Sequence, residues 1–151
     1  MGLCLADDYS NAGGGLREVV AAIMRSLHPS EAHGPRLEIT LPLPPSLNGA
    51  YRNVPGKGRR KMPEFRKWAS GALPACYAVR RGTVKAGYRL HLVLPGNMRG
   101  DIDNRIKPTQ DLLVKGGVLP DDKHAAAVSA ERGVHREPVV HCIITWSEDQ
   151  C

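Results

Sequence analysis

The sequence predicts a mixed α/β domain: a β-sheet of about four strands with helices packed on it, in the order β-α-β-α-β-β, preceded by an N-terminal helix. Three observations lead there. Apolar and polar residues alternate over short stretches near residues 37–43, 88–94 and 140–146. Stretches of helical character lie between them. The apolar and charged fractions, 42% and 24%, are those of a globular chain. At 151 residues one domain is the natural size, and it can bury a core without disulfides or structural metal.

Residues 1–35 read as an extension, with the main domain over 36–151. Gly13-Gly14-Gly15 is a break. Leu16, Val19, Val20, Ile23, Met24 and Leu27 then recur at helical spacing, and His28-Pro29 stops the run. Leu37, Ile39, Leu41 and Leu43 form a half-buried strand, which Pro44-Pro45 ends before a turn at Ser46-Leu47-Asn48-Gly49. Residues 51–61 read as an exposed, mobile basic loop. Pro63 suits the first position of a helix whose apolar side is Phe65, Trp68, Ala69 and Ala72, and which Pro74 is expected to kink or break. Tyr88, Leu90, Leu92 and Leu94 alternate in a second strand. A helix through Lys115 follows Asp101-Ile102-Asp103-Asn104, and Gly116-Gly117 supplies a left-handed stop. Residues 125–132 are a short strand, alanine-rich, and Val140, Cys142, Ile144 and Trp146 alternate in the last.

The net charge of +6 favours polyanionic partners, nucleic acid or an anionic membrane surface. Cys4, Cys76, Cys142 and Cys151 are widely spaced with no C-x-x-C pair, which argues against a cysteine zinc site or a disulfide framework. No apolar run approaches the ~20 residues that span a bilayer. Asp7 and Asp8 stand where a signal peptide has basic residues. The expectation is a soluble, cytoplasmic protein with no membrane partner.

The sharpest chemical feature is acidic. Asp101 and Asp103 are two residues apart at a strand-to-helix corner, where α/β sheets gather their sites. In extended chain both carboxylates project to one side, and two hard oxygen ligands suit Mg²⁺. Asn104 orients a carboxylate or caps the helix. Lys107 lies one helical turn after Asp103, and Asp111 one turn further on the same face. Asp121-Asp122 follows the glycine stop, and one of the pair can complete a metal site. The plainer alternative is that Asp and Asn here are helix caps and Asp121-Asp122 an ordinary turn. The whole set on a basic chain makes chemical sense for phosphodiester hydrolysis. DNA is drawn by lysine and arginine, while carboxylates repel it unless they hold divalent cations.

The segment Asp101-Ile102-Asp103-Asn104-Arg105-Ile106-Lys107-Pro108, with Asp111 and then Gly116-Gly117-Val118-Leu119-Pro120-Asp121-Asp122, resembles the RusA family of Holliday junction resolvases. Leu41-Pro42-Leu43-Pro44-Pro45-Ser46-Leu47-Asn48 is similar to that family's first strand and turn. The resemblance covers about residues 37–146, and the extension lies outside it. It implies a homodimeric endonuclease of DNA recombination and repair, carried by bacteria and their phages, that uses Mg²⁺ (or Mn²⁺) to nick four-way junctions in pairs. It implies Asp101, Asp103 and Asp122 as metal ligands and Lys107 as the catalytic lysine, with Asn104 beside them. A two-fold dimer also meets the need to cut two strands of opposite polarity.

Arg52, Lys57, Arg59, Arg60, Lys61, Arg99 and Asn104 are the candidate DNA contacts, with Arg66, Lys67, Arg80 and Arg81 as weaker ones. A solvated loop is the ordinary role of such a charge run. Two other readings use the same residues. One is a basic DNA-binding module without catalysis. The other is an interaction protein acting through Leu16–Leu27.

Overall fold

The computed structural model describes residues 34–79 and 82–148. The helix expected over Leu16–Leu27, and Arg80 and Arg81, lie outside the described residues. The described chain is a mixed α/β unit. A four-stranded sheet has the order β1-β6-β4-β5, built from β1 (Arg36–Pro42), β4 (Tyr88–Leu94), β5 (Ala125–Arg132) and β6 (Val139–Thr145). A separate two-stranded sheet pairs β2 (Tyr51–Val54) with β3 (Gly58–Lys61). The helices are a single turn α1 (Leu47–Ala50), α2 (Pro63–Ala78) and α3 (Asp103–Lys115), with a 3₁₀ turn over Asp122–His124.

Alternation in the sequence becomes two unlike faces of the sheet. Ile39 on β1, Cys142 on β6 and Leu92 on β4 stand in register and are buried, as do Leu41 beside Val140 and Leu90 beside Ile144. That face packs on Ala72 and Cys76 of α2 and Leu112 and Leu113 of α3. Leu92, Leu94 and Leu113 have no exposed surface, so truncating any one to alanine costs about 2–5 kcal/mol. The other face carries Thr40, His141, His91, Ser129 and Glu131. Thr40 meets His141 at 2.9 Å, and His91 meets Ser129 at 2.8 Å and Glu131 at 3.1 Å. Cys76 and Cys142 are buried free thiols, and burial raises both pKa values.

Three neighbouring pairs make this sheet. Two are antiparallel, and β4 with β5 is parallel. Parallel neighbours need a crossover, and α3 is that crossover. The helix therefore begins just after the C-terminal end of β4 and leads back to the start of β5. The alanine-rich β5 is an edge strand, paired only with β4.

The structure corrects five details. The turn at Leu47 closes into one helical turn, and the basic loop is the β2–β3 hairpin, whose register pairs Arg52 with Arg60 and Asn53 with Arg59. Pro74 does not end α2, which runs on to Ala78, and it lies on the solvent side, where a missing N–H is best tolerated. Trp146 falls just past β6, its N–H on Pro35 O at 3.3 Å. The glycine stop divides its labour. Gly117 is left-handed (φ 75°), whereas Gly116 provides clearance, since a Cβ there would stand 2.4 Å from Cys76 Cβ.

Candidate active site

The corner between β4 and α3 is fixed by two guanidinium groups. Arg132, the last residue of β5, donates from Nη1 to Met98 O and from Nη2 to Gly100 O at 2.7 Å. Arg105, in the first turn of α3, donates from Nη1 to Pro44 O and from Nη2 to Arg99 O at 3.3 Å. Three successive carbonyls ahead of Asp101 are thus held from two sides. Burial lowers the Arg105 pKa from its ordinary value, and its Nε is buried without a partner among the described residues. Guanidinium suits this role because its donors form a planar fork that spans neighbouring carbonyls.

The carboxylates that this loop presents are largely uncommitted. Asp101 is exposed and, among the described residues, receives only Asn104 Nδ2, at 3.4 Å. Asp103 is exposed and opens α3 with no hydrogen-bond or ion-pair partner among the described residues. The capping alternative does not hold here: Ile102 occupies the cap position in helical conformation and offers no side-chain cap.

Lys107 projects from α3 one turn on. Its Nζ lies 2.5 Å from Asp122 Oδ2 and 2.9 Å from Asp111 Oδ1. The hydrogen bond to Asp122, then that to Asp111, hold the ammonium well above the usual lysine pKa, so it is charged throughout the neutral range. The acidic pair divides its roles. Asp121 accepts from Lys123 N at 3.2 Å and caps the 3₁₀ turn, and this backbone contact is the first cause of its lowered pKa. Asp122 is left to face Lys107.

A buried tyrosine carries Asp121 and Asp122 to α3. Tyr88, at the start of β4, donates its hydroxyl to Asp121 O at 3.0 Å and accepts from Gln110 Nε2 at 3.2 Å. Its pKa is raised by burial, with the nearby Asp122 and Asp121 charges adding to that and the Gln110 bond opposing it. Gly87 N donates to His124 O at 2.8 Å and closes the same turn from below.

The donor chemistry fits a hard divalent cation: every candidate ligand is a carboxylate oxygen, and two of them have almost no other engagement. As the side chains stand, no three His, Cys, Asp or Glu among the described residues gather closely enough to form a metal cage.

A family model described as endodeoxyribonuclease RusA matches residues 42–145. The chain belongs to the RusA family. It is therefore a member of a family of endodeoxyribonucleases, hydrolases that act on DNA. No curated protein matches the chain. The RusA match runs from the end of β1 to the end of β6, so it takes in the hairpin, the crossover helix and both acidic segments.

In this RusA-family chain the other candidate contacts stand on the hairpin. Arg52, Lys57, Arg59, Arg60 and Lys61 are all exposed, as is Arg99 in the held loop. The hairpin is tied down at its foot by rings. Arg59 lies 4.4 Å over Tyr51, Tyr51 is 6.1 Å from Phe65, and Phe65 is 5.5 Å from Trp68. Trp68 Nε1 donates to Pro42 O at 2.9 Å, which fixes the stack to the end of β1. Tyr51 is thus part of the hairpin's footing. Arg105 and Arg132 escaped sequence reasoning, because their carbonyl partners lie up to 61 residues away. The weak signal for Arg105 is its place inside the Asp101–Pro108 motif. Among the described residues no helix is long and apolar enough to cross a membrane.

Proposed function

We propose that this chain resolves four-way DNA junctions, in recombination and repair, by paired metal-dependent hydrolysis in a homodimer. The observation that carries this is the lysine clasped between Asp111 and Asp122 one turn from the uncommitted Asp101–Asp103 corner, on the scaffold of a DNA endonuclease family. Asp101, Asp103 and Asp122 would hold Mg²⁺ or Mn²⁺. When bound, such an ion polarises a phosphate and lowers the pKa of water.

The chain's own groups do the rest. Arg105 and Arg132 fix the loop so that Asp101 does not wander, and a displacement of about 1 Å at such a site costs ~10²-fold in rate. Lys107, always charged, offsets the negative charge that builds on phosphoryl oxygens. Asn104 steadies Asp101. Arg52, Lys57, Arg59, Arg60, Lys61 and Arg99 draw in the phosphate backbone, which makes affinity fall with salt. A two-fold dimer presents two equivalent sites to strands of opposite polarity.

The test is a cleavage panel of duplex, flap and mobile four-way junction with Mg²⁺ or Mn²⁺. Symmetric paired nicks in the junction are expected. A metal-dependent rise in melting temperature, absent in Asp101→Asn, gives a second readout independent of cutting. Junction binding with no nicks in either metal would leave a binding protein and overturn the reading.

A further inference from the structure

A hollow of about 220 Å³ opens between the foot of the hairpin, α2 and α3. Its rim carries Lys61 at the end of β3, Arg66 in the first turn of α2 and Lys115 at the end of α3. Phe65, Ala69 and Ser70 complete its lining, and an adjoining apolar pocket that shares Lys61, Phe65, Ala69 and Lys115 with it reaches Trp68, Leu112 and Asp111. All three cations are exposed, and none has a carboxylate partner among the described residues. The contrast with Lys107, clasped by two carboxylates, is sharp. Asp111 borders that adjoining pocket, yet its charge is engaged by Lys107. Lys61 Nζ lies 5.4 Å over the Phe65 ring and Arg66 Nη2 donates to Lys61 O at 3.4 Å, so three cations from three separate elements border one hollow with no carboxylate among them to neutralise their charge.

We propose that this groove is a second DNA-strand site, holding backbone phosphate on Lys61, Arg66 and Lys115 while deoxyribose packs on Phe65 and Ala69. The proposal rests on the nuclease reading above and adds to it the path of the strand. Asp111 joins the groove to the Lys107 cluster, so a strand leaving the cut site along α3 enters it. From Lys107 to Lys115 the helix rises ~12 Å, at 1.5 Å per residue. At ~3.4 Å of axis per nucleotide in one strand, that places the gripped phosphates about three to four nucleotides from the scissile one.

The test is equilibrium binding of the full-length protein to a four-way junction in EDTA, as a function of salt. In the variant carrying Lys61→Gln, Arg66→Gln and Lys115→Gln, the slope of log K against log salt should shrink by about 2–3, close to 0.9 per lost contact. Lys85→Gln with Arg136→Gln, which removes charge elsewhere, should change it by less than about 1. Uncharged methylphosphonates three to four nucleotides from the cut site should weaken binding by the parent protein and leave the triple variant unaffected. If the parent binds and cuts junctions while the triple variant keeps its salt slope, or the methylphosphonates weaken both proteins alike, the groove assignment is wrong and the nuclease reading stands. If the parent neither binds nor cuts any branched DNA, the nuclease reading fails and the groove site falls with it.

Discussion

The acidic corner and the basic hairpin occupy the same part of the chain's chemistry but are built in opposite ways. The corner grows out of the core. Its loop is pinned at three carbonyls, its helix buries Leu112 and Leu113, and its far arm hangs from a buried tyrosine. The hairpin stands outside the core, with every β3 residue exposed and an aromatic footing and the Arg66 bond to Lys61 O beneath it. Under the proposed function the corner needs placement to a fraction of an ångström and the hairpin needs charge within reach, and the rigid and exposed constructions suit those two demands.

That contrast can be tested by breaking each side. The largest effect is expected from Asp101→Asn. On the proposed reading Asp101 is a metal ligand, and its loss removes several kcal/mol of charge stabilisation, so cleavage should fall by roughly 10²–10³-fold or more. Junction binding in a filter or gel assay should be unchanged or tighter. Next comes Lys107→Met, with cleavage down about 10²-fold. Its pH behaviour sharpens the comparison. The Lys107 pKa is raised, so its ion pairs stabilise the fold fully below the unfolded lysine value of about 10.4 and are lost only as pH climbs past the folded-state value. A rate profile for the parent protein should show no lysine limb up to about pH 10, and a limb near pH 9 would contradict the clasp.

Arg132→Met should lower kcat by roughly 10–100-fold with little change in Kd, because it frees the loop that carries Asp101 without removing a ligand. Single-turnover rates at saturating DNA check this. An unchanged rate would mean that Arg105 alone suffices. The smallest effect belongs to the hairpin. Arg59→Gln or Arg60→Gln should each reduce the salt slope of binding by about 0.9 and leave the single-turnover rate at saturation within about two-fold. A hairpin variant that lost chemistry while keeping affinity would erase the distinction between the two regions.

The sheet was largely legible because burial on one face writes period-two alternation into β1, β4 and β6. The crossover helix was legible through its Gly116-Gly117 end, and the acidic corner through residue types that have few other reasons to cluster. The hairpin was not. Arg52, Arg59, Arg60 and Lys61 are exposed, so pairing of β2 with β3 leaves no hydrophobic pattern, and Gly56 and Gly58 (φ 72° and 70°) mark its turn. The clamp was invisible for another reason. Arg105 and Arg132 act on backbone carbonyls, and any residue type supplies a carbonyl. The division between Asp121 and Asp122 likewise depends on a 3₁₀ turn that is decided by Tyr88, 33 residues earlier.

Because Tyr88 fastens the Asp121–Asp122 arm to both β4 and α3, warming the protein should loosen that arm together with the elements it is tied to. Hydrogen exchange at this turn should open in step with the innermost strands, while the Arg-rich fingertip frays many degrees sooner. Heat would then make the enzyme clumsy at capturing its substrate well before it forgets how to cut.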